Sequence, residues 1–109
     1  MSMLLTTTDD IKDKRVDYIG IVTGEAIMGT NFMKDWFANI SDTVGGRSKS
    51  YEKSLRQGKD LALSEMAEEA REIGANAVIA VDLDYEVMGK ENGMMMIVAS
   101  GTAVLVRDQ

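Results

Sequence analysis

The sequence predicts an α+β subunit: an antiparallel sheet with one long helix on one face and a short extra helix beside it. Three features of the residue pattern point there. Several stretches alternate apolar and polar residues with period two, the signature of strands. One stretch, residues 50–73, repeats its apolar residues at helical spacing and stops at Gly74. The chain has 109 residues, 45% hydrophobic and 28% charged, enough for one globular domain with a single core.

Residues 4–7 read as a short first strand, and 11–17 as a polar connection. Residues 16–28 then carry the β-branched Ile19, Ile21, Val22 and Ile27 of a second strand. Gly20 and Gly24 inside it mark bends, bulges or a close approach of another backbone. Asn31 suits the N-cap of a helix of about three turns. Phe32, Met33, Trp36, Phe37 and Ile40 would form its apolar face, and the pattern breaks around Gly45 and Gly46.

The long helix follows, with Tyr51, Leu55, Ala62, Met66 and Ile73 as its stripe and Ala70 alongside. Gly58 and Ala62 in that stripe let the helix backbone sit close to its sheet. Residues 77–88 send Ala77, Ile79, Val81, Leu83, Tyr85 and Val87 to one face of a strand. Val78, Ala80, Asp82, Asp84 and Glu86 go to the other. Residues 88–93 form a hairpin connection. The last strand spans 94–106, with even-numbered residues from Met94 on one face and odd-numbered ones from Met95 on the other.

Strands of about twelve residues are long against a mean of about five or six. A subunit this small has no second layer large enough for both faces of such a sheet. Self-association in a closed symmetry is the expected remedy.

Composition excludes more chemistry than it suggests. There is no Cys, hence no disulfide, thiolate nucleophile or thiolate metal site, and no His for imidazole catalysis or ligation. A net charge of −6 disfavours nucleic acid and anionic membranes as partners. The opening residues lack a basic stretch followed by a long apolar core, and no run reaches membrane-spanning length, so a cytoplasmic protein is expected. No cofactor is expected.

Asp82, Asp84 and Glu86 are the sharpest candidate site. Carboxylate oxygens suit hard cations, yet same-face neighbours on one strand stand about 6.6–7 Å apart, so further ligands must come from other strands or subunits. As a carboxylate pair they would do acid–base chemistry if one pKa were raised. The plain alternative is pairing with basic groups or lining a hydrated interface. Glu25 faces the same polar side or is a solvated residue near a strand bend. Arg47 and Ser48, after two glycines, either hold an anion at the helix start or serve as counter-charge and cap. Met94, Met95 and Met96 point alternately to opposite faces, which favours packing over a soft-metal site. Trp36 with Phe32 and Phe37 is read as packing before ligand stacking.

Several segments taken in order resemble the YbjQ-like family of small bacterial and archaeal proteins. They are residues 20–29 (GIVTGEAIMG), Val44-Gly45-Gly46-Arg47-Ser48 with Tyr51-Glu52, residues 74–78 (GANAV), residues 81–86 (VDLDYE) and residues 100–104 (SGTAV). The resemblance implies a dodecin-like subunit assembled as a ring-shaped homopentamer, with no established activity. It carries over Glu25, Arg47, Tyr51, Asp82, Asp84, Tyr85 and Glu86 as motif positions, and Thr30 and Gly58 depart from the expected alanines. A heavy-metal-binding label attaches to that family, and a chain with neither Cys nor His is poorly furnished for it.

The expected function is therefore a homo-oligomeric structural or small-ligand-binding module with an acidic strand face. An inter-subunit carboxylate site for a divalent cation and an enzyme using a carboxylate pair are the alternatives.

Overall fold

The computed structural model describes residues 3–29, 49–88 and 94–109. The expected short helix over 31–40, Arg47, Ser48 and residues 89–93 of the hairpin connection lie outside the described residues. Strands β1 (Leu4–Leu5) and β2 (Lys14–Met28) precede helix α1 (Lys49–Glu72), and β3 (Ala77–Met88) and β4 (Met94–Asp108) follow it. They form one four-stranded sheet in the order β1-β3-β4-β2.

The sheet is mixed, which corrects the antiparallel expectation. β4 runs antiparallel to both β2 and β3, but β1 pairs parallel with β3, Leu4 opposite Ala77 and Leu5 opposite Val78. Two residues carry no pattern that distinguishes the two directions. β2 also starts two residues earlier than expected. Its polar first residues are held at the end of the ladder, where Lys14 pairs with Asp108 and Asp17 takes both Arg15 and Arg107.

β3 does not keep one alternation. Its register against β4 shifts between Ile79 and Asp82, so Ala80 and Val81 interrupt the ladder, and Ala80 takes a φ of 53°. The interruption leaves two backbone N–H groups unpaired with β4. Both are satisfied from the N-terminal segment: Ala80 N–H donates to the Thr8 carbonyl at 2.7 Å and Val81 N–H to the Thr6 carbonyl at 3.0 Å. Because side chains alternate, the extra residue reverses which face each later position takes. Val78, Leu83, Tyr85 and Val87 share the helix-covered face, whereas Ala77 and Ile79 share the other face with Asp82, Asp84 and Glu86.

Helix α1 ends as expected. Gly74 sits at φ 92°, its N–H donates to the Arg71 carbonyl at 3.1 Å, and Ala75 N–H reaches the Ala70 carbonyl at 3.0 Å. That reciprocal pair satisfies the last carbonyls, and the left-handed residue between them suits glycine. Asn76 then starts β3 by imitating a strand residue: its side-chain amide donates to the Val106 carbonyl and its oxygen accepts from Val106 N–H.

The main core lies between α1 and the sheet. Ala62, Met66 and Ala70 from the helix meet Val22, Ala26, Val78, Met95, Ile97, Ala99 and Ala103, all buried. Ile73, expected in the helix stripe, is exposed beyond the last helical turn. Gly24 is where the two layers come closest. A Cβ there would stand 2.0 Å from the Ala62 carbonyl oxygen and 2.5 Å from Met66 N. Gly58 gives similar room to the Ile97 side chain. On the opposite face, Ala77, Ile79 and Val104 form a small second core, covered by Ile11 from the polar connection together with Val16 and Val106.

Candidate functional site

Cross-strand register assembles the face that α1 does not cover. Residues directly opposite each other in adjacent strands point to the same side. Thr23, Ser100 and Asp82 therefore form one row, Glu25, Val98 and Asp84 the next, and Ile27, Met96 and Glu86 the third. Glu25 thus shares its face with Asp82, Asp84 and Glu86, separated from Asp84 by the single strand β4. The shift in β2 between Tyr18 and Gly20 is what gives Ile21, Thr23, Glu25 and Ile27 this side.

All four acids are exposed on the single chain. Between them and beside them stand large apolar groups that no described residue covers. Ile21 is 81% exposed, Tyr18 75% and Ile27 60%. Rows of β-branched and aromatic side chains alternating with carboxylates are unusual for a surface that meets only water.

Asp82 and Asp84 are same-face neighbours on β3. Their side chains hydrogen-bond, and this contact, with the repulsion of the Asp82 charge, raises the Asp84 pKa above the ordinary aspartate value of 3.8. Protonating Asp84 favours the folded arrangement. That contribution is fully present below the ordinary value and disappears as pH rises through the raised one. Asp84→Asn is accordingly expected to raise the urea midpoint near pH 7 relative to wild type, and to lose that advantage near pH 3. An equal difference at both pH values would show that the two carboxyls do not interact.

The remaining candidates divide by position. Arg47 and Ser48 lie outside the described residues, so neither is joined to the acids. Met94 and Met96 lie on the acid face and Met95 is buried toward the helix, so the three do not converge. Among the described residues no group of three Asp, Glu, His or Cys side chains has the arrangement to hold a metal ion. The sequence reads Tyr85 as a motif position on the same strand face as Leu83 and Val87. The structure places it on the helix-covered face, where it lines a cleft with Leu55, Arg56 and Lys59. Nothing in local spacing brings a residue of β3 to that part of the helix.

Comparison with known proteins agrees with this architecture. Residues 3–107 match a family model described as "Putative heavy-metal-binding". A crystal structure of a protein of unknown function of the DUF74 family from Pediococcus pentosaceus superposes with a TM-score of 0.59. That protein is 15% identical, and the match covers 95% of this chain and 97% of the other. It shows the fold and leaves the activity open. The donor set does not fit the metal in that description. The whole chain has no thiolate and no imidazole, and among the described residues no three carboxylates gather as a metal site. No described helix is long and apolar enough to cross a membrane.

Proposed function

The chain belongs to the YbjQ-like family, and we propose on that premise that it works as a homo-oligomeric module whose uncovered sheet face is completed by copies of itself. The observation that supports this is the far face: Tyr18, Ile21 and Ile27 stand exposed around the four carboxylates of Glu25, Asp82, Asp84 and Glu86. Burying those side chains favours association at roughly 25 cal/mol for each Å² removed from water. The acids oppose a flat, dry contact, because burying unpaired carboxylates is costly. An arrangement in which apolar positions meet a neighbouring copy and the carboxylates line a hydrated space satisfies both. A ring with the acids toward a central channel has that property, and a homopentamer is the form the family resemblance implies.

Light scattering at micromolar concentration is expected to return a multiple of the 11.9 kDa chain mass, fivefold for the ring. The double substitution Ile21→Asp and Ile27→Asp should reduce it to one chain mass while far-UV dichroism stays unchanged. A single-chain mass for the wild type would sink the reading.

A second reading has one observation in its favour, the contact between Asp82 and Asp84. In that reading the pair becomes part of a hard-cation site when a neighbouring copy adds carboxylates. Dialysis followed by elemental analysis separates the two, since the cation reading demands stoichiometric metal per chain. The enzymatic use of the pair would need an enclosed pocket, which the described residues do not form on this face.

A further inference from the structure

We infer that the cleft between the first half of α1 and the end of β3 is a binding site for a small aromatic anion, a planar ring carrying a carboxylate or a phosphate. It is independent of the far face, from which the sheet itself separates it. The cleft has a volume of about 240 Å³ and is lined by Glu52, Leu55, Arg56, Lys59 and Tyr85. That volume suits a ligand of one ring and one charged group rather than a dinucleotide.

Each part of the cleft has a physical cause. α1 crosses the sheet close to β4, because Gly58 has no side chain and Ile97 fills the space where one would be. The helix lies over β2 and β4 and touches β3 little, so Tyr85 and Val87 near the end of β3 stay half-exposed. Tyr85 lies directly opposite Ile97 and is 46% exposed at the side of that crossing, with Leu55 above it. An aromatic ring beside an aliphatic side chain in a concave site offers a surface on which another ring stacks.

Arg56 and Lys59, one helical turn apart, bring two positive charges to the same opening. Neither forms an ion pair with a described residue. In a chain of net charge −6 this is a local reversal of sign. Positive charge concentrated in a concavity attracts anions even when the whole molecule repels them. An arginine supplies the forked donor set that a carboxylate or phosphate accepts, and the lysine adds a point charge. Glu52 lines the same cleft one helical turn before Arg56 and carries the opposite sign, so the site selects an anion small enough to sit at the Arg56 and Lys59 side. The tyrosine and the two cations thus recognise different parts of one molecule.

Titration calorimetry of the full chain with phenyl phosphate and with benzoate tests this, with inorganic phosphate and phenol as the separate halves. At least one of the two aromatic anions should bind about tenfold or more tightly than either half. The double substitution Arg56→Gln and Lys59→Gln should weaken that binding by at least about tenfold, with an unchanged urea midpoint. Tyr85→Leu should weaken it while leaving the affinity for inorganic phosphate alone unaffected. Absence of binding by both aromatic anions at about 10 mM, or equal binding by the doubly substituted chain, would overturn the inference. Inorganic phosphate binding as tightly as phenyl phosphate, with benzoate no tighter than phenol, would overturn its aromatic part.

Discussion

Gly24→Ala is expected to destabilise the subunit by about 3 kcal/mol, measured as a lowered urea midpoint with unchanged slope. The obstruction is backbone. The added methyl would stand 2.0 Å from the Ala62 carbonyl oxygen and 2.5 Å from Met66 N, so the helix must move off the sheet. Movement of the helix opens gaps around the buried Val22, Ala26 and Ala62, which adds loss of packing to the clash. Gly58→Ala is the internal control. Its nearest obstruction is the Cδ1 of Ile97 at 2.5 Å, the far end of a side chain that can rotate. A rotamer adjustment costs about 0.5–1.5 kcal/mol, and alanine within a helix gains about 1 kcal/mol over glycine. The net change at Gly58 should lie within about 1 kcal/mol of zero. Similar losses at both glycines would mean that the close contact is not where the structure puts it.

Met66→Ala is expected to cost about 3 kcal/mol on the same scale. Met66 is fully buried at the centre of the helix stripe and is among the largest completely enclosed side chains of the chain. Its removal loses the transfer free energy of the buried atoms and leaves a cavity that the surrounding alanines are too short to fill. Met66→Leu keeps most of the volume and should cost less than about 1.5 kcal/mol. A midpoint for Met66→Ala close to that of wild type would contradict the placement of the core. Gly24 and Met66 are neighbours, so combining Gly24→Ala with Met66→Ala should cost less than the two losses added together.

Much of this architecture was legible in the residues because it is periodic or uses a residue with a special conformation. The long helix, its buried Ala62, Met66 and Ala70, its terminator Gly74, and the two faces of β4 all follow from local pattern. Gly20 and Gly24 were readable as interruptions, and the structure separates them into a shifted register and a close contact. The irregularity in β3 was not readable. Ala80 adopts a left-handed backbone that alanine does not signal, and the hydrogen bonds that stabilise it come from Thr6 and Thr8, some seventy residues away in sequence. A strict alternation therefore put Ala77 and Ile79 with Leu83 when they lie on opposite faces.

For the acidic face, alternation after the irregularity is undisturbed, so Asp82, Asp84 and Glu86 kept their common side. Their alignment with Glu25 depends on pairing with β4 and emerges only in three dimensions. The cleft at Tyr85 depends on where the helix crosses the sheet. No local spacing encodes that crossing.

The position of β2 has a consequence for how the chain finds its fold. β3 and β4 are close in sequence, with Met88 opposite Met94, so their ribbon closes a short loop. β2 pairs on the far side of β4 with Lys14 opposite Asp108, joining nearly the two ends of the chain. Closing so long a loop is entropically late, and the reward for it comes only once the β4 edge exists to receive it. β2 is made well before the strand it pairs with, and its length cannot be zipped into the sheet until β4 has been synthesised.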